Sequence, residues 1–144
     1  MDRLILQARH KASMFDHVIH CLPEEACGLA AGIGNTILNI IPITNRSHSS
    51  FKFEMDPIEQ LAGFKWIQES NLILLAIYHS HPEGPSEPSH QDIQGFAYPE
   101  VVYIIWSHLM NSWHIHGYRI QETHSTEVEL VFLEQSNLPT ERVF

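Results

Sequence analysis

The stretch Leu72-Ile73-Leu74-Leu75-Ala76-Ile77-Tyr78 is an unbroken apolar run that leads straight into His79-Ser80-His81-Pro82. A run of strand length without polar alternation reads as a central strand covered on both faces. Two histidines separated by one residue project from the same side of an extended backbone. Pro82 forces the chain out of the strand. Strand ends that run into loops are where sites are usually built, and neutral imidazoles at this spacing can both reach one zinc ion at about 2.0–2.1 Å. Taken alone, the pair also reads simply as two polar residues at a strand terminus.

Upstream of this strand, Asp56 reads as a helix N-cap with Pro57 at the first helical position. The helix is expected to run to Ser70 and to bury Ile58, Leu61, Ala62, Phe64, the stem of Lys65 and Ile67. Ser50 to Met55 alternates as a strand, with Phe51 and Phe53 on one face and Lys52 and Glu54 on the other. Ala26–Gly32 and Thr36–Ile43 read as two strands joined at Gly34-Asn35. Arg3–Leu6 is a first strand, and Arg9–Leu22 is a helix through Met14, Val18, Ile19 and Leu22, stopped by Pro23. Downstream, Pro82–Pro88 is a loop, and Ser89 starts a short helix to about Phe96. Val101–Ser107, Ser112–Ile120 and Val128–Leu133 are strands, and Ser136–Phe144 is a loose tail. The fold class is α/β: a mixed sheet flanked by helices, one domain over residues 1–135 with a C-terminal tail at 136–144.

The composition is compatible with that reading. The 144 residues are 44% hydrophobic and 17% charged, enough to bury a real core. Eight Lys+Arg against seventeen Asp+Glu give a net charge of −9, which argues against nucleic acid and anionic membranes as partners. No stretch reaches the ~18–20 apolar residues of a membrane helix. Met1 to Leu6 lacks the pattern of a signal peptide. Cys21 and Cys27, the two cysteines, form neither a disulfide framework nor a zinc-ribbon pair. A cytoplasmic protein with reduced thiols is expected.

Two further pieces of sequence carry chemistry. Ser89-x-x-Asp92 is a capping box where a helix must start, and that suffices to explain it. One short loop beyond His81, however, it also offers a carboxylate that can fold back onto the histidines. Two His and one Asp leave the fourth zinc position open, the mark of a catalytic site. The other piece is Pro23-Glu24-Glu25-Ala26-Cys27-Gly28-Leu29, where a carboxylate opens an apolar strand. A solvated strand end accounts for it equally. In zinc hydrolysis one carboxylate can take a proton from water and return it to a leaving amine.

Together, Glu25-x-x-Gly28-Leu29, His79-Ser80-His81-Pro82 and, after six intervening residues, Ser89-x-x-Asp92 resemble the motif of the JAMM (MPN-plus) metalloproteases. Ala26-Cys27-Gly28-Leu29, Pro42, Asn45, Phe51 to Pro57 and Ala97-Tyr98-Pro99 also resemble the small prokaryotic members. The resemblance covers roughly residues 4 to 118. It implies an MPN-type, cytidine-deaminase-like fold in which His79, His81 and Asp92 ligate Zn2+. It implies Glu25 as general acid/base, selected over Glu24 by the spacing to Gly28, and Ser89 as hydrogen-bond donor to the oxyanion. It also implies a peptidase or isopeptidase acting after the C-terminal Gly-Gly of a ubiquitin-like or sulfur-carrier protein, with cysteine as one candidate leaving group. The connection from Asp92 to the strand near Val101 is short, whereas relatives specific for ubiquitin chains carry an insertion there. The rival class is a catalytically silent scaffold of the same fold that binds protein partners. Silent relatives typically lack a ligand, and here all five residues are present.

Other candidates have plainer explanations. His114-x-His116 lacks a nearby acid and reads as an exposed strand face. His17 and His20 share a helix face and offer adventitious binding at most. Cys27 reads as an inert core thiol. Trp66, Trp106 and Trp113 read as core or interface residues. Trp106 is large for a buried strand, which makes it a candidate contact of a homodimer.

Overall fold

A computed structural model of the chain describes residues 3–95 and 98–134. Its elements run β1 (Arg3–Gln7), α1 (Ala8–Cys21), β2 (Cys27–Ile33), β3 (Thr36–Ile43), α2 (Pro57–Glu69), β4 (Ile73–His81), α3 (His90–Gly95), β5 (Val102–Leu109), β6 (Ser112–Gln121) and β7 (His124–Leu133). The strand order is β1-β3-β2-β4-β5-β6-β7, and β1 pairs with both β3 and β7, so the sheet closes on itself. Pairing is mixed: β4–β5 and the β1 contacts are parallel, while β2–β3, β2–β4, β5–β6 and β6–β7 are antiparallel. The parallel step from β4 to β5 needs a crossover, and that connection carries the loop 82–89 and α3.

β4 is covered on both faces, as its sequence requires. Ala76 and Tyr78 join one core with Leu4, Leu6, Met14 and Val18. Ile77 joins a second core with Leu29, Ile41 and Ile67. The first core takes its helical residues from α1 and the second from α2. Tyr78 is fully buried, with its hydroxyl 2.7 Å from His17 Nδ1 on α1. Gly28 pairs with Tyr78 across the ladder, and a Cβ there would collide with the tyrosine ring, so a glycine is needed three residues after Glu25.

Three expectations are corrected. Ser50–Met55 is not a strand; apart from an isolated Asn45–Met55 bridge it lies outside the sheet. The side chain of Asn45 takes the Glu54 N–H and the Lys52 carbonyl, groups that a ladder would otherwise use. On α2, Ile58 and Leu61 are 79% and 69% exposed, and Ala62 and Lys65 also face solvent. The helix instead approaches the sheet through Gly63 and Ile67, with Phe64 half-buried. A Cβ at Gly63 would lie 2.9 Å from Leu29 Cδ1, so the missing side chain lets the helix sit close. Finally, Trp106 is buried in the first core with its ring 5.3 Å from Phe15, which removes the ground for reading it as a dimer contact. The tail expected at 136–144 lies outside the described residues.

Candidate metal centre

β4 delivers the two histidines. By strand alternation His79 and His81 share the side of Ile77, while Ser80 points the other way and accepts a hydrogen bond from Ala26 N–H at 2.8 Å. The two rings converge, with Nε2 atoms 3.1 Å apart. Asp92, in the first turn of α3, brings Oδ2 to 3.1 Å from His79 Nε2 and 3.0 Å from His81 Nε2. Three ligand-type atoms therefore form a nearly equilateral triangle. Its edge is close to the ~3.3 Å edge of a tetrahedron with about 2.0 Å metal–ligand bonds.

The protons sharpen the point. His81 Nδ1 lies 2.7 Å from the Pro85 carbonyl, which can only accept, so in the neutral ring the proton sits on Nδ1 and Nε2 is bare. His79 Nδ1 is buried with no partner among the described residues, and its ring is stacked on Phe53 at 4.6 Å. Burial pulls His79 toward its neutral form. Burial also acts on His81, but the Asp92 and Pro85 hydrogen bonds outweigh it and push the imidazole up. For Asp92, burial is overcome by the two histidines and the Ser89 N–H, and the carboxyl is held well below its usual range. Lone pairs meeting at one buried point are stabilised by a cation, and the donor set of two imidazoles and a carboxylate fits zinc.

The Ser89–Asp92 capping box is present in full. Asp92 Oδ2 accepts the Ser89 N–H at 2.8 Å, and Ser89 Oγ accepts the Asp92 N–H at 3.1 Å. The same carboxylate oxygen thus caps the helix and faces the histidines. The Ser89 hydroxyl, half-buried, keeps its own proton for donation.

Glu25 completes the cluster. A Glu25 carboxylate oxygen lies within 4.8 Å of nitrogens of His79 and His81. The residue is 2% exposed, and its Oε1 has no hydrogen-bond partner among the described residues. Burial pushes its carboxyl up to about 8, with His81 opposing and Asp92 adding to the shift. Glu24, by contrast, pairs outward with His48 at 3.1 Å. The five residues singled out in the sequence therefore lie in one cluster.

Sequence reading named Asn45 and Phe53 without giving them a role and passed over Tyr118. Tyr118 on β6 donates to the Ser86 carbonyl at 2.8 Å and pins the loop between His81 and Asp92. Phe53 orders the His79 ring, and Asn45 orders the loop that carries Phe53. Asn45 stood out only by resemblance, and nothing local marks Tyr118. A cleft of about 380 Å³ opens beside His79 and Asp92, lined among others by Lys52, Phe53, Met55, Tyr98 and Tyr103. Of the remaining candidates, His17 is engaged by Tyr78, and His114 and His116 lie on β6. Cys27 is buried, which pushes its thiol up to about 12.

Residues 7–116 match the family model described as prokaryotic homologs of the JAB domain. A desampylase of Pyrococcus furiosus is 37% identical over 88 residues, which span 61% of this chain and 63% of that protein. A CysO-cysteine peptidase of Mycobacterium tuberculosis is 29% identical over 135 residues, 92% of either chain. A Desulfitobacterium hafniense protein of known solution structure is 29% identical and superposes with a TM-score of 0.83, covering 93% of this chain and 95% of that one. The chain spans less than two thirds of the Pyrococcus relative, but the family match takes in every residue of the cluster, and the chain belongs to the prokaryotic homologues of the JAB domain.

Proposed function

We propose that this protein is a zinc-dependent peptidase or isopeptidase that cleaves after the C-terminal Gly-Gly of a ubiquitin-like or sulfur-carrier protein. The observation that carries the reading is the convergence of His79 Nε2, His81 Nε2 and Asp92 Oδ2 beside the buried carboxyl of Glu25, whose Oε1 has no hydrogen-bond partner among the described residues. In it His79, His81 and Asp92 hold the metal. A zinc ion held there supplies Lewis acidity toward water and the scissile carbonyl. Glu25 takes a proton from the attacking water and returns it to the leaving amine, work suited to a carboxyl whose buried setting raises its proton affinity. The Ser89 hydroxyl donates to the oxyanion while still accepting the Asp92 N–H. The tail of the carrier runs along residues 45–53 and the loop 83–88, where only glycine lets a chain lie so close to the metal and its walls. The names of the Pyrococcus and mycobacterial relatives support a carrier-protein substrate.

The test is a substrate panel. It holds a sulfur carrier extended by a C-terminal cysteine or short peptide, the same carrier with Gly-Gly changed to Ala-Ala, and ubiquitin pairs joined through lysine. Cleavage of the Gly-Gly carrier, loss with Ala-Ala and weak action on the pairs are expected. Equal cleavage of both carriers contradicts the tail reading. No hydrolysis of any member by the zinc-loaded protein contradicts the enzyme and leaves the silent scaffold.

A further inference from the structure

Asn45 is 6% exposed, and every hydrogen-bonding position of its side-chain amide is in use. Nδ2 donates to the Glu25 carbonyl and to the Lys52 carbonyl, both at 3.1 Å. Oδ1 accepts from the Ser47 hydroxyl at 2.7 Å, from Ser47 N–H at 3.1 Å and from Glu54 N–H at 3.0 Å. The amide has two N–H donors, and both reach carbonyls on different segments. One is the strand start that carries Glu25. The other is the excursion between β3 and α2 that stacks Phe53 on His79. A single backbone bond reinforces the same junction, from Glu25 N–H to the Ser49 carbonyl at 2.8 Å. Because segment 50–54 has no place in the sheet ladder, this side chain stands in for the missing strand partner.

We propose that Asn45 is a positioning residue that locks the rest of the tail-binding segment, 46–53, to the backbone of Glu25, so that one side chain sets both where the substrate tail lies and where the acid/base carboxyl stands. The inference rests on the roles given above to Glu25 and to the tail segment. Asn45 makes no bond to His79, His81 or Asp92 and reaches them only through the Phe53 stack on His79, so zinc content reads the metal site apart from positioning. An isosteric Asp places oxygen lone pairs against the carbonyls of Glu25 and Lys52 and cannot replace either donation.

The experiment compares wild type, Asn45→Asp and Asn45→Ala, all zinc-loaded, by amide hydrogen exchange, zinc content and steady-state kinetics on the Gly-Gly carrier. In wild type the amides of Glu25, Ser47 and Glu54 open together. In both variants these three exchange at least about tenfold faster, while the β4–β5 ladder keeps its protection and zinc stays bound. The value of kcat falls by roughly 10- to 100-fold and KM rises, whereas Glu25→Gln moves kcat alone. If Asn45→Ala fails to fold, Ser47→Ala removes the 2.7 Å hydroxyl bond to Asn45 and the longer 3.5 Å contact with the Lys52 carbonyl, keeps both Asn45 donations, and gives a smaller acceleration at the same amides. Wild-type kcat and KM in Asn45→Asp, or acceleration spread evenly over the whole sheet, overturns the proposal. An inactive wild type contradicts the function proposed above, and the exchange pattern still decides whether Asn45 joins the two segments.

Discussion

Glu25 and Asp92 face the same pair of histidines and are driven in opposite directions. Asp92 gathers two imidazoles and a backbone N–H and is held as the anion, while Glu25 has burial and no hydrogen bond at Oε1 and is driven toward the acid. Two carboxyl groups with proton affinities pushed apart by their surroundings suit two roles, ligand and proton carrier. In the zinc-loaded protein Glu25→Gln is expected to keep the metal and lose activity by roughly 10²–10⁴-fold, because the amide cannot accept a proton. Metal analysis and kcat on one preparation check this, and near-normal kcat contradicts it. The metal-free protein gives an independent handle. There the Glu25 carboxyl holds its proton to about 8, against an ordinary value of 4.5. Below the lower value both the folded and unfolded states are protonated. Between the two values only the unfolded chain ionises, so stability falls as pH rises through that window and levels off above it. Gln does not titrate. The urea midpoint of metal-free Glu25→Gln should therefore gain on that of wild type between about pH 5 and about pH 8. A constant difference contradicts the buried acid.

The connection from β4 to α3 is the element that turns a strand end into a site. Three bonds shape it: Gly84 N–H to the His81 carbonyl, His81 Nδ1–H to the Pro85 carbonyl, and the Tyr118 hydroxyl to the Ser86 carbonyl. Gly84, at φ +73°, packs against Leu109, where a side chain would collide. Tyr118→Phe removes only the hydroxyl. It should cost about 1 kcal/mol in urea unfolding and speed zinc loss to a chelator, since Asp92 is held through this loop. An unchanged rate of zinc loss contradicts the clamp. What the sequence made legible follows the same lines. β4 was readable because burial on both faces leaves an apolar run, and the convergence of His79 and His81 because strand period sets them on one side. The segment 50–55 was misread because its alternation is real, while the group that keeps it out of the sheet, the Asn45 amide, acts through a side chain that no periodicity reports. Ile58 and Leu61 were misplaced because Gly63, with no side chain, marks the contact face of α2.

At the scale of the molecule, the sheet closes through parallel pairing of β1 with β7, from Arg3–Glu129 to Gln7–Leu133, a long-range register that local pattern does not encode. Closure leaves the centre at the end of β4, between the excursion after β3 and the crossover to β5. Among the described residues, no helix is long and apolar enough to cross a membrane. The proposed hydrolysis depends on one metal held by β4 and α3. The most direct measurement is the zinc content of the purified wild type beside the His79→Ala, His81→Ala double variant, with folding of both verified by circular dichroism. The account predicts about one zinc per wild-type chain and almost none in the folded double variant, because the lone Asp92 carboxylate is too weak a site. Full zinc occupancy in the folded double variant would contradict it.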